Sequence, residues 1–151
     1  MKRAYQVIAY LVAAGVVLQA AFIAFGVFGL AHDIDAGAVV DSNYDGNPGW
    51  FLHAVNGEMA IPLLALSLLI VSFFARVKGG IRWAGAVLGL VVLQVMLAYI
   101  AFGVAVVGVL HGVNALALFT VAVIAGRRTS RGSQASSAPA QTGAESVMER
   151  I

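Results

Sequence analysis

Residues 83–126 read WAGAVLGLVVLQVMLAYIAFGVAVVGVLHGVNALALFTVAVIAG, and no charged side chain interrupts them between Arg82 and Arg127. A helix rises about 1.5 Å per residue, so about 20 apolar residues cross a hydrocarbon layer roughly 30 Å thick. The interval is too long for one crossing and fits two, with a tight turn expected near Gly103 to Gly108. Two further apolar runs precede it. The expected spans are about residues 5–30, 50–75, 83–104 and 106–125. The first begins Met1-Lys2-Arg3 like a signal peptide. Its apolar run is about twice the usual 7–15 residues and lacks a clear small-x-small cleavage site, so the sequence predicts that it is retained.

Composition agrees. Of 151 residues, 61% are hydrophobic and 11% charged. Soluble domains carry about 25% charge, and a chain with so little cannot cover a water-facing surface. The chain has no cysteine, which excludes disulfides, thiolate metal sites and cysteine nucleophiles. No nucleotide motif, nucleophile elbow or zinc-protease signature occurs, and nothing points to nucleic acid.

Charge placement gives the orientation. Lys2 and Arg3 precede the first span, Arg76, Lys78 and Arg82 lie between the second and third, and Arg127, Arg128, Arg131 and Arg150 follow the fourth. The other side carries Asp33, Asp35, Asp41 and Asp45 and no lysine or arginine. Cytoplasmic loops are enriched in basic residues. The predicted fold is therefore an all-α membrane protein, a four-transmembrane-helix bundle of two tandem helical hairpins, N-in and C-in. Residues 1–126 form the membrane domain and 127–151, rich in Ser, Ala, Gln and Gly, a disordered cytoplasmic tail. The setting is a bacterial-type inner membrane. Trp50 and Tyr44 are expected at the outer interface, Tyr5 and Trp83 at the inner one.

An internal repeat underlies the hairpins. Val16-Val17-Leu18-Gln19 returns as Val91-Val92-Leu93-Gln94, and Ile23-Ala24-Phe25-Gly26-Val27 as Ile100-Ala101-Phe102-Gly103-Val104. His53-Ala54-Val55-Asn56 returns as His111-Gly112-Val113-Asn114. The Gln-to-Ile spacing differs by two residues, so both elements cannot keep one helical phase. A two-helix repeat returns to its starting side, so the copies are parallel and their pseudo-twofold axis follows the membrane normal.

That axis brings His53 and His111 face to face near the outer ends of the second and fourth helices. Intramembrane histidines are rare and point into bundles. Paired at one depth, they suit the two axial positions of a haem iron. Asn56 and Gly57 share the face of His53, and Asn114 shares that of His111. Gly26 and Gly103 would let a ring or a neighbouring helix approach, and Gly85-x-x-x-Gly89 and Gly108-x-x-x-Gly112 are small-xxx-small patterns. Each ligating imidazole needs a partner for its other nitrogen: a water, a backbone carbonyl or an asparagine. Plain polar packing between helices is the rival account, and zinc or copper a further one, though two histidines make a poor tetrahedral set.

Glu58 is the one acid inside a span. Five residues beyond His53, about 140° around a regular helix, it is expected off the ligand face. It could pair with Gln94 or Gln19, carry protons, or sit as a neutral acid against a neighbouring helix. Pro62 reads either as a kink or as a simply tolerated proline. Asp41-Ser42-Asn43-Tyr44-Asp45-Gly46 matches the start of a calcium loop, but Leu52 stands where the closing glutamate belongs. A turn ending in Asn47 as helix cap and Pro48 as first helical residue accounts for it better. His32 reads as solvated.

Four helices with histidines near the outer ends of the second and fourth resemble one half of haem A synthase. Leu110-His111-Gly112-Val113-Asn114-Ala115-Leu116 resembles that family's helix-four ligand segment, and His53 matches its helix-two ligand by position. The likeness covers residues 5–126. The catalytic half of that family has a glutamate shortly before its first histidine, whereas Glu58 follows His53, so the chain resembles the cofactor-binding half. A small bacterial four-helix membrane family of this type is implied.

The resulting expectation is a b-type cytochrome. One haem b lies between His53 and His111, with Asn56, Asn114, Gly57, Gly26, Gly103, Gln19 and Gln94 around it and Glu58 on a proton path. Membrane lipid surrounds it, with quinol or a redox protein as electron partner; a homodimer is allowed. The alternatives are a haem-modifying or haem-carrying protein, a non-haem accessory subunit, or a small proton-coupled transporter.

Overall fold

The computed structural model describes residues 1–134, with side chains to Thr129. Four helices are each long and apolar enough to cross a membrane: α1 (Lys2–Asp35), α2 (Pro48–Ala75), α3 (Gly80–Gly103) and α4 (Val107–Gln134). No strand occurs among the described residues. α4 runs past residue 125, where the sequence ended the span, and its last turns take up the start of the expected tail. Residues 135–151 of that tail lie outside the described residues.

The helices form a closed ring. α1 packs on α2 and α4, and α3 packs on α2 and α4, which leaves α2 and α4 diagonal to one another. The short connections put the 36–47 loop and the 104–106 turn at one end, called here the loop end, and both chain ends at the other.

The terminal half is close-packed, mainly on small side chains. Ala9, Ala65, Ala84, Ala122 and Ala125 are buried around Val12, Val87 and Leu68. The Tyr5 hydroxyl donates to the Gly80 carbonyl at 3.1 Å and ties α1 to the start of α3. Arg128 lies 4.5 Å over the Trp83 ring. Large apolar side chains point outward instead, Phe28 (76% exposed) and Phe74 (66%) among them. In water that surface would be costly, and in lipid it is the expected one.

The loop end is pinned by polar caps. Asn47 accepts from the amides of Gly49 (3.1 Å) and Trp50 (3.4 Å), with Pro48 in the first turn, so the expected cap forms. Its Nδ2 donates to the Gly26 carbonyl at 2.8 Å. Asp41 accepts from the Asn43 amide at 2.8 Å, a local turn of the kind the Asp41–Gly46 stretch was expected to make. Gly26 and Gly49 are where α1 and α2 touch: a Cβ on Gly26 would collide with Trp50, and one on Gly49 with the Gly26 backbone.

The repeat is real, and it has one irregularity. Buried or cleft-facing residues of α1 recur in α3 at a constant offset of 75: Ala9 and Ala84, Val12 and Val87, Val16 and Val91, Gln19 and Gln94. On that register Ile23 corresponds to Ala98, so the Ile-Ala-Phe-Gly-Val echo is compositional and not structural. Between α2 and α4 the offset is 58 at His53/His111 and Asn56/Asn114, then 57 at Ile61/Leu118, Ala65/Ala122, Leu68/Ala125 and Ser72/Thr129. α2 therefore carries one extra residue after Asn56. It is absorbed in a π turn, Asn56–Ala60, closed by the Ile61 amide on the Asn56 carbonyl. The wide turn makes room for the Pro62 ring, which in a regular helix presses on the carbonyl four residues back.

Candidate functional site

The two histidines face one cleft in the loop half of the bundle, from diagonally opposed helices. The cleft has two lobes, about 460 and 540 Å³, which share walls formed by His53, His111, Gln19 and Gln94. Each lies within the range of about 300–1,000 Å³ usual for small-molecule and cofactor sites. The deep lobe reaches Val16, Ile61, Val91 and Leu118 at the packed half. The outer lobe lies between α2 and α3 and is bordered by Trp50, Tyr99 and Phe102. It exists because residues Pro48–Val55 of α2 pack on α1 and not on α3.

Each histidine is held in the same way. His53 Nδ1 lies 3.1 Å from the Gln19 carbonyl, and His111 Nδ1 lies 3.1 Å from the Gln94 carbonyl. A carbonyl only accepts, so Nδ1 carries a proton in both rings and donates it, and Nε2 is the nitrogen turned away from that contact. Of the partners the sequence allowed, the structure uses the backbone carbonyl.

The asparagines form a layer beneath. Asn56 Nδ2 donates to the Gly15 carbonyl and to Gln19 Oε1, both at 3.0 Å. Asn114 Nδ2 donates to the Leu90 carbonyl at 3.0 Å and to Gln94 Oε1 at 2.6 Å. Gln94 Nε2 donates back to the His111 carbonyl at 3.0 Å. Both glutamines line the cleft as expected, but neither asparagine does. Expected beside a cofactor, the asparagines instead fix the glutamines.

The glycines divide. Gly57 lines the cleft, and a Cβ there would collide with the Gln19 amide. Gly26 serves the α1–α2 contact, and Gly103 ends α3 away from the cleft. Gly112 lines the deep lobe. Gly85 and Gly89, expected at a helix contact, face open space within this chain.

Glu58 is where the sequence reading needs correction. It lines the outer lobe together with His53. The 140° displacement assumed a regular helix; the wider π turn, Asn56–Ala60, narrows it in part, and Glu58 lines the lobe from the side of α3, against Tyr99. Its partner is also different. Tyr99 donates to Glu58 Oε1 at 3.1 Å, and no hydrogen bond joins Glu58 to Gln19 or Gln94. Tyr99 was not singled out from the sequence. The twofold-related gap, between α4 and α1, has no such pair: Ala24 stands where Tyr99 does, and α4 offers Ala115, Leu116 and Ala117 where α2 has Gly57 to Ala60.

Among the described residues no group of three or more His, Cys, Asp or Glu comes together to hold a metal ion. The two imidazoles stand in an apolar cleft, with no third His, Cys, Asp or Glu donor among the described residues beside them.

Comparison with known proteins gives one family. A model described as a family of unknown function (DUF6220) matches residues 42–102, the loop, α2 and most of α3, with His53, Glu58, Gln94 and Tyr99 inside the match. No curated protein matches the chain, and no solved structure does.

Proposed function

We propose that the protein is a membrane b-type cytochrome that holds one haem between His53 and His111. The observation that carries this reading is the pair of imidazoles on diagonal helices, each with Nδ1 tied to the carbonyl of a twofold-related glutamine. Metal-binding histidines commonly donate their other ring nitrogen in this manner, which fixes the tautomer and aims Nε2. The cleft walls beside them are apolar, as a macrocycle requires, and Gly57 lets the Gln19 amide close against α2 beside His53.

Haem b, when bound, supplies one-electron chemistry. The chain's own part is to orient two rings, exclude water from the deep lobe and fix both tautomers through Gln19 and Gln94. Two histidine ligands would leave the iron no open position, which would favour electron transfer over oxygen chemistry. The resemblance to the cofactor-binding half of haem A synthase belongs to the same proposal. So does the orientation, both termini cytoplasmic in a bacterial-type inner membrane, supported by the basic residues that precede α1, join α2 to α3 and follow the apolar part of α4 in the sequence.

The test is direct. Protein purified in detergent with haem supplied should show sharp low-spin bands that sharpen on reduction. His53→Ala and His111→Ala should each abolish them while helix content by circular dichroism is kept. Colourless wild-type protein, or bands unchanged in both variants, overturns the reading.

A further inference from the structure

The outer lobe has features that the histidine pair does not use. It is built by a one-residue insertion, a π turn and an intramembrane carboxyl, and its twofold counterpart has none of the three. A carboxyl in a span is costly and marks a functional position by default. π turns inside helices gather at such positions. Here Glu58 lies within the turn, lines the lobe and sits 3.1 Å from the Tyr99 hydroxyl. Both side chains are exposed at the α2–α3 gap, which in a bilayer faces lipid. Trp50 and Phe102 supply flat apolar walls.

We propose that the outer lobe binds a quinone or quinol head group that enters laterally from the bilayer, its ring between the aromatic walls and its oxygens hydrogen-bonded to Glu58 and Tyr99. The ligand class follows from the lining. A flat ring is matched by Trp50 and Phe102, and polar oxygens on that ring are matched by a carboxyl and a phenol. A saturated acyl chain would offer the carboxyl and the phenol nothing beyond the hydrogen bond they already share. The choice of a redox-active ring rests on the cytochrome reading. Binding itself does not, since the lobe is present in the cofactor-free chain.

Trp50 is a built-in reporter, because quinones quench indole fluorescence on contact. The chain has two tryptophans, and Trp83→Phe leaves Trp50 alone. This variant, free of haem and in lipid nanodiscs, is titrated with a short-tailed quinone. Saturable quenching is expected, weakened about tenfold by Tyr99→Phe, whose hydroxyl donates to a quinone oxygen, tenfold being roughly what one hydrogen bond to a ligand contributes. Glu58→Leu should weaken by a similar factor the competing quinol, whose hydroxyl donates to the carboxyl. An alkylbenzene of equal ring size should not compete. Quenching that rises linearly, an alkylbenzene that competes equally, or Tyr99→Phe with unchanged affinity would each overturn the site. Tyr99→Phe removes a single oxygen and keeps the ring, so an unfolded variant does not blur the result. Haem absorption, recorded separately, tests the histidines: saturable quenching in a protein that never takes up haem upholds the quinone site and removes the cytochrome. Haem that displaces the quinone stoichiometrically overturns the outer lobe as a site of its own.

Discussion

Asn114 Nδ2 sits 2.6 Å from Gln94 Oε1, and the same residue types meet at Asn56 and Gln19 at 3.0 Å. Each asparagine holds a glutamine, and the backbone carbonyl of each glutamine holds a histidine. Such a chain couples its members. Gln94→Leu and Asn114→Leu should each destabilise the bundle by about 0.6–1.7 kcal/mol, the span measured for hydrogen bonds between membrane helices. The double variant should lose less than the two single losses combined. Equilibrium unfolding in mixed micelles measures all three.

Two glycines on one cleft should respond in opposite ways. Gly57→Ala drives a methyl into the Gln19 amide and should cost about 1–3 kcal/mol. Gly112→Ala meets nothing within 4 Å and should be neutral or stabilising by up to about 1 kcal/mol, since alanine suits a helix interior better. The same unfolding assay compares them, and equal losses would contradict the described register.

Deletion of Met59 tests the π turn. Removing one residue should restore a regular helix in which Ile61 keeps the place of Leu118 and His53 that of His111. The variant should fold with helix content unchanged and lose the Glu58–Tyr99 hydrogen bond. Infrared spectra of the Glu58 carboxyl stretch, compared with those of Tyr99→Phe, should then coincide.

At the loop end, the Tyr44 hydroxyl donates to Asp33 Oδ2 at 2.6 Å. That hydrogen bond holds the phenol pKa above its ordinary value of 10.0, with slight burial adding to it. A raised folded pKa means the contact's stabilisation is full below the ordinary value and is lost as pH rises through the raised one. An ultraviolet titration, wild type minus Tyr44→Phe, should place this phenol above 10.0, and Asp33→Asn should bring it back down.

The number of helices was legible because span length and charge-free intervals are set by bilayer thickness, which no tertiary packing changes. The histidine pair was legible because polar residues are scarce in these spans, so His53 and His111 stand out against valine and leucine. Gly26 and Gly103 were not, since a glycine contact depends on which helix arrives, and Trp50 arrives only at Gly26. The π turn at Asn56–Ala60 was not legible either. A π turn alters the residues per turn over five positions and leaves no hydrophobic signature. The offset between the copies, 58 before it and 57 after, would have exposed it had the two even-numbered helices been aligned through their alanines.

The constant register of α1 on α3 has a consequence for construction. The second hairpin alone, α3 and α4, holds a glutamine, a histidine and an asparagine in the arrangement of the whole, with no inserted residue and no acid. Two identical copies of it, set side by side, would reproduce the histidine cleft from a chain half as long. Such a homodimer would have true rotational symmetry, two indistinguishable sides and no preferred doorway. The natural chain differs from it by having a front and a back.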